Sequence, residues 1–197
     1  GEDSKMKRAI VASICGLGCS AQAASVTLLF SASAADGVRP GEAVTWTVSA
    51  FTTGLSDTGY FGGFVGSFIA SEPGIGEVTN IQSFMAGQGI AARGEGASVV
   101  DINIFHSALL GTDDPTNPLA IFSFDVVLGD NSYGVPLRYD AEGVATLFDS
   151  SFIFEPAIEI TDIAVVSDTY FWIPAGGTGT LLLAGCAIAG RRRRTDR

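Results

Sequence analysis

The sequence predicts an all-β protein: an antiparallel β-sandwich of about nine strands, jelly-roll or immunoglobulin-like, flanked by an N-terminal signal helix and a C-terminal transmembrane helix. Three observations carry this. Apolar and polar residues alternate strictly along the middle of the chain, the period of a strand with one buried face. Clusters of Gly, Pro, Asp and Asn separate these runs, and no helical spacing is sustained between them. Glycine is abundant, at 25 residues, and Val, Ile, Thr and Phe are frequent, a mixture that suits strands and tight turns.

In chain order, Val26, Leu28 and Phe30 alternate with Thr27, Leu29 and Ser31, and the turn signals Asp36-Gly37 and Arg39-Pro40-Gly41 follow. Val44, Trp46, Val48 and Ala50 alternate with Thr45, Thr47 and Ser49. Residues 60–70 are apolar on both parities, so this strand is expected to be buried on both sides or packed beneath a loop. Its Gly62, Gly63 and Gly66 would admit close approach of another backbone or a ligand. After Glu72-Pro73-Gly74 comes a strand over 77–84. Val100, Ile102 and Ile104 alternate with Asp101 and Asn103, ahead of the turn Gly111-Thr112-Asp113-Asp114-Pro115. Phe122, Phe124, Val126 and Leu128 alternate with Ser123 and Asp125, up to Gly129-Asp130-Asn131. Strands over 134–140 and 146–154 are separated by a turn at Ala141-Glu142-Gly143. In a last strand, 159–166, the apolar phase slips between Ile160 and Ile163, as a β-bulge would produce.

The chain of 197 residues divides into an N-terminal extension and signal peptide (1–23), the sandwich (24–170) and a C-terminal sorting segment (171–197). With 47% hydrophobic and 16% charged residues, the chain is not a disordered acidic protein. Basic residues concentrate at the two ends, and the body carries only Arg39, Arg93 and Arg138 against eighteen acids. Such a body repels phosphates, so no nucleic acid partner is expected; solubility in a saline or cation-rich exterior is the leading account of the charge, and divalent-cation binding the alternative. Cys15 and Cys19 lie in the leading apolar segment and Cys186 in the trailing one. The body therefore has neither a disulfide nor a thiolate nucleophile, and its stability must come from core burial.

The ends read as addresses. Met6-Lys7-Arg8, a short apolar stretch over 9–18 and the small-x-small site Ala21-Gln22-Ala23 form a secretory signal, with cleavage by signal peptidase expected after Ala23. The apolar run is too short to remain as a membrane span. Cys19 offers a lipoprotein alternative, although the usual leucine three places upstream is replaced by Gly16. At the other end, the apolar residues 178–190 are followed by Arg191, Arg192, Arg193 and Arg194, which the positive-inside rule keeps cytoplasmic. As a helix that segment would be about 20 Å long at ~1.5 Å per residue. This is short of the ~30 Å hydrocarbon core, so the anchor suits a temporary sorting signal; a simple C-terminal anchor is the alternative.

Ile173-Pro174, the apolar residues 181–190 and the arginine cluster together resemble the tail of PEP-CTERM proteins, which Gram-negative bacteria export and process with an exosortase. Pro174-Ala175-Gly176 stands in place of Pro-Glu-Pro, closer to planctomycete-type variants, and Gly176-Gly177 is similar to the GlyGly-CTERM tail read by a rhomboid-type protease. The resemblance implies a sorting signal made of Pro174, Ala175, Gly176 and Arg191 to Arg194, and an exosortase-like enzyme as partner. It further implies transient anchoring in the inner membrane through the C-terminal helix, then a place at the cell envelope, the cell surface or outside the cell. The body carries a second resemblance. Arg39-Pro40-Gly41-Glu42-Ala43-Val44-Thr45-Trp46-Thr47-Val48 and Leu119-Ala120-Ile121-Phe122-Ser123-Phe124-Asp125-Val126 look like strands of cohesin-like domains. Those are nine-stranded sandwiches that recognise other proteins or sit beside carbohydrate-binding modules.

No catalytic residue is singled out. His106 is the only histidine, too few for a two-imidazole metal site, and is expected to be a satisfied or exposed residue at a strand end. The acids fall mostly in turns or on polar strand faces, which does not make a glycosidase pair. No cofactor is expected. Calcium is the one ion with a candidate site, at Asp113, Asp114 and Asn117, with Asp130-Asn131 second; the same residues are ordinary turn chemistry, and the turn reading leads. Trp46 lies on the apolar parity and is expected in the core, and Trp172 near a membrane interface. The expected function is a non-catalytic surface or extracellular-matrix protein. A module binding carbohydrate (extracellular polysaccharide) or protein comes second, and a secreted hydrolase third.

Overall fold

The computed structural model describes residues 23–33, 40–88, 92–106, 114–130, 134–150 and 156–171. Of the expected site residues, Ala21, Asp113, Pro174, Ala175, Gly176, Arg191, Arg192, Arg193 and Arg194 lie outside these, as do the expected signal and C-terminal helices; Ala23, Asp114 and Asn117 lie within. Among the described residues no helix is long and apolar enough to cross a membrane.

The strands are β1 (Ser25–Ala32), β2 (Ala43–Thr53), β3 (Tyr60–Ala70), β4 (Gly76–Ser83), β5 (Gly87–Gln88), β6 (Arg93–Glu95), β7 (Ser98–Phe105), β8 (Leu119–Leu128), β9 (Pro136–Leu137), β10 (Tyr139–Phe148), β11 (Ile158–Ile160), β12 (Ala164–Ser167) and β13 (Tyr170–Phe171). A 3-10 turn at Pro73–Ile75 lies between β3 and β4. One sheet runs β12-β1-β2-β8-β4 and the other β11-β10-β3-β7-β5, with β6 also on β7; β9 and β13 form a small ribbon. Pairing is antiparallel except where β12 lies parallel to β1, bringing the last part of the body against its first strand.

Strict alternation in the sequence becomes a sheet with one buried face. On β1 and β2, Val26, Leu28, Phe30, Val44, Trp46, Val48 and Ala50 are buried, while the intervening Ser and Thr residues face outward. The inner faces meet in an aromatic core. Tyr139 touches Phe30, Trp46 and Phe124 at centroid distances of 5.4, 4.9 and 5.1 Å. Phe68 touches Phe30, Phe64, Phe122 and Phe124 at 5.1, 5.2, 5.6 and 6.5 Å. Such ring pairs add to the burial of large side chains from both sheets, and Trp46 sits in the core as its parity implies.

Four sequence expectations are corrected. The turn at Ala141-Glu142-Gly143 is absent: β10 runs straight through it, pairing residue by residue with β3, and absorbs the first part of the strand expected over 146–154. Gly143 lies opposite Gly66, and a Cβ on either would collide with a backbone carbonyl of the facing strand, Val65 or Glu142, so the glycine permits close strand contact instead of a reversal. The strand expected over 134–140 is cut into β9 and the start of β10. The phase slip in 159–166 is a change of sheet, not a bulge. β11 pairs with β10 and β12 with β1, so the inward parity is reset as the chain crosses the sandwich. Residues 60–70 are doubly buried only in their first half; Val65 and Ser67 emerge on the outer face.

Candidate functional site: the outer face of the second sheet

The central strands of the second sheet, β10, β3 and β7, present an open face whose character is set by cross-strand register. Val65 sits between Val144 and Asn103, Ser67 opposite Glu142, and Ile69 opposite Asp140. Val65 is 54% exposed and Phe105, two residues along β7 from Asn103, is 39% exposed, an unusual degree of solvent contact for large apolar side chains mid-sheet.

The face is not flat. Register shifts between Gly66 and Phe68 where β3 meets β7, and Asp101 takes a left-handed backbone with φ of 59°. The resulting hollow of about 300 Å³ is lined by Val65, Gly66, Ser67, Asp101, Ile102 and Asn103. Arg93 on β6 donates through Nε to Asp101 at 2.6 Å and lies 3.5 Å from Glu95; the hydrogen bond and the charge of Asp101 raise its already high pKa. That guanidinium is therefore engaged at the rim. Asp140, Glu142 and Glu159 add carboxylates along β10 and β11, and Arg138 lies just ahead of β10. The surface combines a small apolar centre with an acidic surround.

The loop expected to favour turn chemistry is tied to the fold. Asp114 Oδ1 accepts the Thr116 N–H at 2.9 Å, and this bonding with Thr116 holds its carboxyl below the ordinary carboxylate pKa. Asn117 accepts the Thr52 N–H at 3.0 Å and donates to the Thr52 carbonyl at 2.7 Å, so its amide completes the end of β2 as an added pairing partner. Asp130 lies just beyond the end of β8, after Gly129. His106, immediately after β7, has its backbone N–H donating to the Gly62 carbonyl at 2.6 Å; it lies at a strand end, as expected, but is buried at 9% exposure, so the exposed alternative does not hold. Among the described residues no group of three or more His, Cys, Asp or Glu side chains is placed to hold a metal.

The two-sheet arrangement is similar to that of several solved structures. The seventh ScaB type I cohesin of Pseudobacteroides cellulosolvens matches with a TM-score of 0.54 at 8% identity, covering 78% of this chain and 96% of that one. The body has a cohesin-like fold. The sixth cohesin of scaffoldin B from Acetivibrio cellulolyticus, solved with a dockerin, matches at 0.52 and 13% identity, over 76% and 99% of the two chains. The third ScaC cohesin of Acetivibrio cellulolyticus, solved with the ScaB dockerin, matches at 0.51 and 9% identity, over 77% and 99%. No protein-family model matches the sequence, and no curated protein sequence is similar to it. The cohesin-like resemblance of the β2 and β8 segments thus extends to the architecture of the body.

Sequence reasoning singled out the glycines of β3 for close approach but not the hollow itself. Gly66 is readable as a contact point, whereas Asp101 looks like any polar residue on the solvent parity; its left-handed backbone arises from the mismatch between β3 and β7.

Proposed function

We propose that this chain is an exported, non-catalytic β-sandwich that docks a protein partner through the outer face of its second sheet. The observation that carries this reading is the exposed pair Val65 and Phe105 with half-buried Val144 alongside, centred on a shallow hollow and surrounded by carboxylates, on a cohesin-like scaffold. Two of the solved relatives were captured with dockerins, which supports a protein module as the kind of partner. An apolar centre desolvated by the partner supplies the affinity, and the acidic surround selects a partner with basic side chains at its rim. In this reading the N-terminal signal directs export and the tail from Pro174 to Arg194 is processed by an exosortase-like enzyme, leaving the body at the cell surface or outside the cell in a structural or matrix role. The 114–117 loop is structural, and calcium titration followed by Tm is its check.

Two experiments test the proposal. A photo-crosslinking residue at position 65, in the native host, is expected to capture one discrete protein. The same probe at Ser49, on the other sheet, is expected to give no adduct of that mass. Capture of the same partner protein at both positions overturns docking at this face, and capture of polysaccharide alone overturns it in favour of the carbohydrate reading. Separately, intact mass of the mature protein is expected to begin near Ala24 and end near Pro174; a species retaining Arg191 to Arg194 overturns the sorting step.

A further inference from the structure

The outer face of the first sheet differs in kind from the one just described. Ser25, Thr27 and Ser31 on β1 and Thr45, Thr47 and Ser49 on β2 give it a field of hydroxyls. The register sets Leu29 between Val166 of β12 and Ser49, and Thr27 beside Phe51, so an apolar corner forms across three strands. Val166 is 59% and Phe51 40% exposed. Among the described strand positions of this face the ionisable groups are Glu77 and Asp125, both toward the β4 side. Asp125 is already engaged: it accepts from Thr45 Oγ1 at 2.6 Å and Asn80 Nδ2 at 3.0 Å, and Gln82 in turn donates to Asn80 at 3.0 Å.

We propose that this face is a self-association surface, on which a second copy of the chain packs back to back about a two-fold axis. Charge selects the occupant and the face together. With three arginines against eighteen acids in the body, two copies repel wherever acidic surfaces meet, and the second sheet's face places Asp101, Asp140, Glu142 and Glu159 in the way. The first sheet's face carries Glu77 and Asp125 toward β4 and Asp168 just past β12, but its centre over β1 and β2 is uncharged, and the hydroxyls there serve as both donors and acceptors, so it is complementary to itself, as an isologous contact requires. The area suffices. Five strands spaced about 4.8 Å apart, over some eight residues at about 3.3 Å each, span roughly 600 Å². That approaches the about 800 Å² per partner of an ordinary stable interface. Such a dimer leaves both second-sheet faces pointing outward.

The test is sedimentation velocity of the full chain in mild detergent over a concentration series, with folding checked by circular dichroism. Wild type and Val65→Lys, which alters the opposite face, are expected to show a monomer–dimer equilibrium. Val166→Lys and Phe51→Lys, each at an exposed position and each readable alone, are expected to weaken the dimer at least tenfold with Tm preserved. Wild-type monomer at every concentration overturns the proposal. So does a dimer that both face variants leave intact, since its contact would lie in the tail or on another surface.

Discussion

Tyr139 shows how one residue joins the two sheets. Its ring packs on Phe30, Trp46 and Phe124, and its hydroxyl donates to the Ala97 carbonyl at 2.7 Å. Burial pushes the pKa of this phenol far above its ordinary value of about 10. A raised folded-state value means that the stabilisation is complete below the unfolded pKa and declines as pH rises beyond it, because the unfolded tyrosine ionises first. Tyr139→Phe is expected to cost about 1 kcal/mol at neutral pH, for the lost hydrogen bond. It should also reduce the loss of stability above about pH 10, measured by urea denaturation at several pH values. Asn117 acts at the same scale in the opposite setting, at the surface. Its two bonds to Thr52 anchor the loop before β8, and Asn117→Ala is expected to cost about 1–2 kcal/mol, with or without added calcium. A calcium-dependent loss would show that the loop binds the ion. The carboxyl of Asp114, with its lowered pKa, contributes stability that is present above its unfolded value and is lost as pH falls through the folded one.

Among the elements, the β3–β10 pair is the one whose sequence misleads most. Glycine twice in register, Gly66 against Gly143, reads as a breaker, yet it allows the two strands to approach where a methyl group would strike a carbonyl. Gly66→Ala is therefore expected to destabilise the protein by more than about 2 kcal/mol, in the range of strained or overpacked sites, and to distort the hollow beside it. Thermal denaturation combined with crosslinking at position 65 separates the two effects. The crossing from β11 to β12 is a related case: two short pairings on different sheets follow each other within one apolar run, which periodicity alone reads as a single irregular strand.

The whole molecule is held by one core and divided by charge. Phe68 lies between the sheets against four aromatic rings, and Phe68→Ala is expected to cost about 3–5 kcal/mol, read as a drop in the urea midpoint with little change in slope. The same architecture turns an acidic composition into two unlike faces. Docking at the second sheet is expected to weaken as ionic strength rises, whereas association through the first sheet is expected to hold or strengthen as repulsion between acidic bodies is screened. Titrating sodium chloride in the two binding assays distinguishes them.

By itself the sequence determined the fold class, most strand positions and the core role of Trp46, because a period-two pattern states which side of a strand is buried without reference to its partners. It also made the cohesin-like likeness visible in the β2 and β8 segments, where alternation is cleanest. Only the tertiary structure decided that Gly143 continues a strand, that 158–167 serves two sheets, that Asn117 is bound to β2 and that Asp101 opens a hollow beside Val65. Each of these depends on which strand lies alongside and in what register. That is a non-local choice, made by burying both inner faces at once, and no local run of residues encodes it.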